Sequence, residues 1–166
     1  MKKLTFLTAL VVILIASCSP HNYTVLMHNG TSASDESAKL VVKNFFEEGY
    51  VTHNYDYVMN CMADDYFDHS PAAARSNADA VGILKIVEGQ FSELKITILD
   101  LFAEDGMVGT RIRFEGIHSG MCQGIAATGK RISFEALENF KVVDGKIVES
   151  WGYWPDTEIL SQLTAE

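Results

Sequence analysis

Three ionisable residues interrupt apolar, alternating segments in the second half of the chain. Asp100, Glu138 and His118 each stand among, or at the end of, apolar residues spaced two apart. Alternate residues of a strand share one face, so each of these side chains is expected on an apolar face. If these faces line a common cavity, burial disfavours the charged forms, and a buried carboxyl group titrates nearer neutrality. Such a group suits proton removal from carbon, so the pattern predicts acid–base chemistry.

Each of these residues also has a structural interpretation. Asp100 can pair with Arg111 or Arg113 at the rim of a sheet. His118 lies beside glycines near a strand end, where a capping or surface role is equally open. For Glu138 the structural and catalytic interpretations stay equally open. Burying a carboxyl group within an apolar face costs free energy, so such a group is usually paired with another side chain or serves a function.

Further candidates lie outside these three positions. His69 follows an aromatic, extended stretch and is either a hydrogen-bonded structural histidine or a catalytic one. Aromatic side chains of the same regions can line a ligand pocket or form ordinary core. The pocket candidates are Tyr66, Phe114, Phe134 and Trp151.

Two kinds of periodicity divide the chain into helices and strands. A 3.6-residue pattern predicts helical segments at about 34–49, 54–62, 77–90 and 157–163. After Phe91 the pattern alternates, which predicts strands, a glycine-rich loop over 116–129 and a hairpin turn at Asp144-Gly145. Helices followed by a run of strands predict an α+β domain, with the helices packed on one face of an antiparallel sheet.

Composition and charge exclude several classes of protein. The chain has 166 residues and a formal net charge of −9, so it repels phosphate backbones and nucleic acid is not an expected partner. Cys61 and Cys122 can form a disulfide or remain two buried thiols. No spacing of cysteine and histidine suggests a metal site, and no cofactor motif is present.

The N-terminus predicts export and lipidation. Lys2 and Lys3 precede an apolar run over 4–15 that is too short to span a bilayer, which is typical of a signal peptide. The sequence LIASC, ending at Cys18, resembles the lipobox of bacterial lipoproteins. That resemblance implies a lipid anchor on Cys18 and a place in the cell envelope, at the outer membrane in a Gram-negative host. An ordinary signal peptide is the alternative.

The predicted organisation has three parts. A signal peptide covers 1–17, a polar tether covers 18–34, and a single domain covers 35–166. Acyl chains on Cys18 would hold this domain at the membrane, since two or more chains anchor stably.

Several segments of the domain resemble the SnoaL-like polyketide cyclases and the related ester cyclases. They are DHSP at 68–71, DLFAEDGMVGTRIRFEGIHSG at 100–120, GIAATGKRISFEALENFKVVDGKIVESW at 124–151 and PDTEILSQL at 155–163. The resemblance implies the cone-shaped fold of nuclear-transport-factor-2-like proteins. It also implies a cofactor-free reaction, in which an aspartate removes an acidic proton between two carbonyls and an aldol addition closes a ring.

Carried over by position, the resemblance places that base at Asp156, just after the last strand. Asp156 can equally cap the terminal helix together with Thr157. The family commonly has a histidine before its tryptophan, and here the pair is Ser150-Trp151, so this candidate proton carrier is missing.

Three functions therefore stay open on sequence alone. The first is a cofactor-independent cyclase, isomerase or related lyase that acts on a small, apolar carbonyl compound. The second is a non-catalytic module of the same fold that binds a small hydrophobic ligand at the envelope. The third is a homodimeric or protein-interaction domain that uses the exposed side of the sheet.

Overall fold

The computed structural model describes residues 33–165. The predicted signal peptide, the lipidation residue Cys18 and nearly all of the tether lie outside this range, so they stay predictions. Within residues 33–165, no helix has the length and apolar character needed to cross a membrane.

In the described residues, 33–165, four α-helices and one π-helical turn accompany the sheet. Their bounds are Ala33–Phe46 (α1), Glu47–Val51 (the π turn, continuous with α1), Tyr55–Cys61 (α2), Asn77–Gln90 (α3) and Asp156–Thr164 (α4). The side chain of Asn54 accepts from the backbone N–H of Tyr57 and caps α2. Ser76 caps α3 in the same way through the N–H of Asp79. The helix predicted over 77–90 is confirmed by α3.

Five strands of the described part of the chain form one curved, mixed sheet in the order β1-β5-β4-β3-β2. Their bounds are Met62–Asp68 (β1), Phe91–Glu104 (β2), Met107–His118 (β3), Arg131–Val143 (β4) and Lys146–Tyr153 (β5). Strands β2 to β5 form the expected antiparallel run, whereas β1 pairs with β5 in parallel. Parallel neighbours need a long crossover, which α3 and the intervening strands supply. The alternation within β1 predicts an extended segment, but it does not predict which strand β1 pairs with.

A β-bulge in β2 changes which side chains face the core. Ile98 lies opposite Ile112, but Asp100 lies opposite Arg111, so Leu99 is one extra residue in the strand. A single extra residue moves every later side chain to the other face. Asp100 therefore faces outward, although strict alternation predicts an inward position.

Aromatic side chains fill the space between the sheet and the helices near β3 and β4. Phe114 and Phe134 stack with ring centroids 5.1 Å apart, and Trp154 lies 4.8 and 5.3 Å from them. Burial of each ring contributes roughly 2–3 kcal/mol through the apolar area removed from water. Beside this cluster, the helices and the sheet enclose a cavity.

The two cysteines of the domain do not form a disulfide. Cys61, at the end of α2, and Cys122, in the loop after β3, are both buried as free thiols. Of the two possibilities left open by the sequence, the structure has the pair of separate buried thiols.

Candidate active site

A cavity of about 350 Å³ lies between α3 and the inner face of strands β1, β4 and β5. Much of its wall is apolar, formed by Phe45, Met62, Ala80, Ile83, Leu84, Val87, Phe140 and Trp154. A hollow of this size with a few polar groups is typical of a site for a small molecule.

Glu138 projects from β4 into this cavity and is only 8% exposed. The indole Nε1 of Trp154 donates a hydrogen bond to its Oε1 at 2.8 Å. Burial raises the pKa of Glu138 to about 7, an effect that the Trp154 hydrogen bond opposes and the charge of Asp68 reinforces. Near neutral pH the carboxyl group is divided between its two protonation states, as a general acid or base requires.

Asp68, at the end of β1, is a second buried carboxyl group on the wall. The backbone N–H and the hydroxyl of Ser70 donate to its two oxygens at 2.8 and 2.6 Å, and the hydroxyl of Ser150 donates at 3.3 Å. Because Ser150 donates to Asp68, its oxygen is left to accept from the phenol of Tyr66. This chain of hydrogen bonds ties β1 to β5 beside the cavity.

Tyr50, in the π turn, brings a phenol to the same cavity and is buried. Burial raises its pKa well above the ordinary value, and the charge of Glu138 raises it further. Within residues 33–165 its hydroxyl has no hydrogen-bond partner. Tyr50 is therefore a protonated donor that is available to a ligand.

Asp156 also lines the cavity, as the first residue of α4, but it is exposed to solvent. The side-chain amide of Gln123 donates to its backbone oxygen at 3.2 Å and contacts its Oδ1 at 3.5 Å. Asp156 thus marks the mouth of the cavity, whereas Glu138 lies inside. The structure brings these two sequence candidates to one site.

Asp100 does not line the cavity, because the bulge turns it to the outer face of the sheet. There its Oδ2 accepts from the Nε of Arg111 at 2.6 Å, and both side chains are about half exposed. This is the ion pair that the sequence offered as the structural interpretation.

His118 and His69 also lie away from the cavity wall. His118 is fully buried at the end of β3, where its Nδ1 accepts from the backbone N–H of Thr128 at 3.2 Å. His69 stacks on Trp151 with ring centroids 4.6 Å apart and pairs with Glu149 at 2.9 Å. Both histidines thus lie apart from the cavity, and the buried Nε2 of His118 has no hydrogen-bond partner among residues 33–165.

The four aromatic pocket candidates divide in the same way. Tyr66 lines the cavity, whereas Phe114 and Phe134 lie in the aromatic core behind Trp154. Trp151 is on the opposite face of the sheet, stacked on His69. The expected pocket is present, but one of its four expected aromatic side chains forms the wall.

The sequence candidates omit several polar residues of the wall, among them Asp68, Tyr50 and Ser150. Asp68 is two residues after Tyr66, so period-two alternation in β1 could have found it. Ser150 stands where the family resemblance expected a histidine, and its role appears only through its contacts with Tyr66 and Asp68. Tyr50 had no local signal, since a π turn brings it inward.

Among residues 33–165, no group of His, Cys, Asp or Glu has the arrangement of a metal site. Helices packed on one face of a curved, five-stranded mixed sheet match the nuclear-transport-factor-2-like class of α+β domains. The model of the SnoaL-like polyketide cyclases matches residues 40–163, and the chain belongs to this family. Membership supports a cofactor-free cyclase or isomerase in general terms.

Solved structures agree with this fold. A candidate SnoaL-like polyketide cyclase from Jannaschia sp. CCS1 has a TM-score of 0.77 and 16% identity, covering 84% of this chain and 99% of its own. TsrD from Streptomyces laurentii has a TM-score of 0.73 and 22% identity, covering 82% and 100%. IdmH, a candidate polyketide cyclase from Streptomyces antibioticus, has a TM-score of 0.68 and 23% identity, covering 76% and 97%. At these identities the likeness establishes the fold alone. No protein of curated function matches the sequence.

Proposed function

We propose that the cavity catalyses cofactor-free proton transfer on a small carbonyl compound, leading to ring closure or isomerisation, with Glu138 as the general base. The observation that carries the proposal is the buried carboxyl group of Glu138, whose pKa of about 7 lies far from the ordinary 4.5. A base of this strength, held in an apolar cavity, is matched to carbon acids at neutral pH.

In the proposed reaction, the ionised Glu138 takes a proton from the carbon next to a carbonyl. The C–H electron pair forms a C=C bond and the π pair of the carbonyl moves to its oxygen, giving an enolate that the phenol of Tyr50 stabilises by hydrogen bonding. In a cyclisation, the enolate carbon attacks a second carbonyl of the same molecule and forms a C–C bond. The protonated Glu138 then returns its proton to the new alkoxide, so that no proton or electron is gained or lost overall.

The remaining polar groups have supporting parts in this proposal. Asp68 keeps a negative charge near Glu138 and so raises its pKa, while Ser150 and Tyr66 hold Asp68 in place. Asp156, which the family resemblance implies as the base, would act at the mouth of the cavity as a second proton acceptor.

The cellular location belongs to the proposal as well. The lipobox-like sequence before Cys18 and the signal-like run over 4–15 support a lipid-anchored protein of the cell envelope. The predicted tether over 18–34 would keep the domain and its cavity near the membrane, where small apolar compounds concentrate.

A hydrogen–deuterium exchange assay tests the proposed chemistry. Benzylacetone, a small phenyl ketone, is incubated with the full chain in deuterium oxide, and loss of its α-protons is followed by NMR. We expect exchange above the buffer rate, and a reduction of about tenfold or more in Glu138→Gln, since general-base catalysis contributes factors of this order or larger.

The matched control is Glu135→Gln, the same change on the outer face of the same strand, where Glu135 pairs with Arg111 and Arg113. It should exchange at the wild-type rate. Wild-type exchange that Glu138→Gln leaves unchanged would exclude Glu138 as the base. Binding of benzylacetone without exchange would favour the non-catalytic ligand-binding module instead.

A further inference from the structure

The wall of the cavity carries charge of one sign. Glu138, Asp68 and Asp156 line it, and within the described part of the chain no lysine, arginine or histidine does. Two of these carboxyl groups are buried, where the low dielectric strengthens their field. An anionic ligand would meet repulsion without any compensating cation.

The two buried carboxyl groups differ in how completely the protein satisfies them. Asp68 accepts from three donors, on Ser70 and Ser150. Glu138 accepts from one, the indole of Trp154 at Oε1, and its Oε2 receives no hydrogen bond from residues 33–165. A Cβ at Gly152 would lie 3.6 Å from Oε1, in ordinary van der Waals contact with this carboxyl group. Glu138 thus keeps an unused acceptor next to the cavity.

Aromatic rings line the same hollow. Tyr50 and Trp154 lie with centroids 6.5 Å apart, and Phe45 lies 6.0 Å from Tyr50 and 5.7 Å from Phe140. The negative faces of such rings attract an ammonium group, most strongly where water is excluded. Aromatic walls around an incompletely satisfied carboxyl group form an environment that favours a cation.

We propose that the cavity selects its ligand by charge and takes an organic cation, a carbonyl compound bearing a protonated or quaternary amine whose nitrogen lies beside Glu138. This inference rests on the proposed function, because the same carboxyl group is its base. The ammonium group favours the ionised form of Glu138, so ligand binding releases the proton of Glu138 to solvent. A neutral ketone binds more weakly, and a carboxylate is excluded.

Other titratable groups face Glu138 from each neighbouring element. They are Asp68 and Tyr66 on β1, Tyr50 in the π turn and Asp156 at the start of α4. Both tyrosines stay protonated at neutral pH, because burial raises their pKa values. Glu138, with a pKa of about 7, is a buried group that can release a proton when a cation binds near pH 7.

Three probes with related phenylalkyl skeletons test the inference by calorimetry on the full chain: phenylbutylamine, benzylacetone and phenylbutyric acid. At pH 8 we expect the affinity for the amine to exceed the affinity for the acid by about tenfold or more, with the ketone between them. A desolvated ion pair with aromatic contacts contributes binding free energy of this order. Near pH 7, titrations in buffers of different ionisation enthalpy should detect proton release with the amine but not with the ketone.

Glu138→Gln should abolish both the proton release and the preference for the amine over the ketone, whereas Glu135→Gln should retain both effects. Equal affinities for the three probes, or an amine preference that survives Glu138→Gln, would overturn the inference. Catalysed exchange of benzylacetone together with equal affinities would reject the charge selection and leave the proposed function standing. Amine selection without exchange would reject the proposed function alone.

Discussion

Glu138 and Asp68 are buried carboxyl groups of the same cavity, yet the fold stabilises them differently. Three donors compensate the charge of Asp68, whereas a single indole N–H reaches Glu138. Burial without compensation is what raises the pKa of Glu138 towards neutrality. The burial that destabilises the ionised form of Glu138 is therefore also what makes its carboxylate a stronger proton acceptor.

The pH dependence of stability follows from that property. Unfolded, Glu138 titrates near 4.5, and folded it titrates at about 7, so the folded state binds this proton more tightly. Its contribution is therefore fully present at low pH and is lost as pH rises through about 7. Relative to wild type, Glu138→Gln should gain about 3 kcal/mol of unfolding free energy between acidic and mildly alkaline pH.

Urea unfolding at a series of pH values measures this difference. Glu135→Gln again serves as the control, because its exposed carboxylate pairs with two arginines and its pKa is lowered, not raised. A difference between Glu138→Gln and wild type that stays constant with pH would contradict a raised pKa in the folded state.

At the scale of helices and strands, the sequence predicts where each element lies along the chain better than it predicts which strands pair and in what register. Period-two alternation correctly turns Glu138 of β4 inward, because β4 pairs regularly with β3 along its length. The same rule fails for Asp100, since the bulge at Leu99 depends on the register with β3 and not on β2 alone. The parallel partner of β1 is equally a tertiary property.

The loop after β3 is fixed to the end of α3, and two glycines make this contact testable. The N–H groups of Ser119 and Gly120 donate to the carbonyl of Gln90, which lines the cavity. A Cβ on Gly120 would lie 1.8 Å from the backbone oxygen of Gly89, so the backbone would have to move. Gly120→Ala should therefore destabilise the protein by about 2 kcal/mol or more.

Gly89→Ala is the matched change on the other side of this contact. A Cβ on Gly89 meets no atom within 4 Å, and alanine favours a helix by roughly 0.5–1 kcal/mol over glycine. This variant should be as stable as wild type or more stable. Chemical denaturation of both variants compares them directly, and equal destabilisation would show that loop and helix are not packed this closely.

At the scale of the whole molecule, the domain and its predicted lipid anchor rest on different observations. Fold and family are established over the matched residues 40–163, whereas the lipid anchor rests on the sequence around Cys18. The cavity residues missed by sequence reasoning, such as Tyr50 and Ser150, come together only when helix, π turn and sheet edge are assembled. Local patterns do not encode that assembly.

Metabolic labelling with a fatty acid tests the anchor. The full chain expressed in a Gram-negative host should incorporate label and sediment with membranes. Cys18→Ser should lose both properties, because it lacks the thiol that carries the lipid. Cys61→Ser, which changes a buried thiol of the domain, should stay labelled. Labelling that survives Cys18→Ser would contradict a lipid anchor at this residue.

The protonation of Glu138 can be observed directly by infrared titration of the full chain, with Glu138→Gln and Glu135→Gln as references. A protonated carboxyl band should disappear with a midpoint near pH 7, in wild type and Glu135→Gln but not in Glu138→Gln. That result would establish a neutral-range acid–base group inside the cavity. If Glu138→Gln removes no band that titrates near pH 7, Glu138 is an ordinary carboxylate and cannot serve as the proposed base.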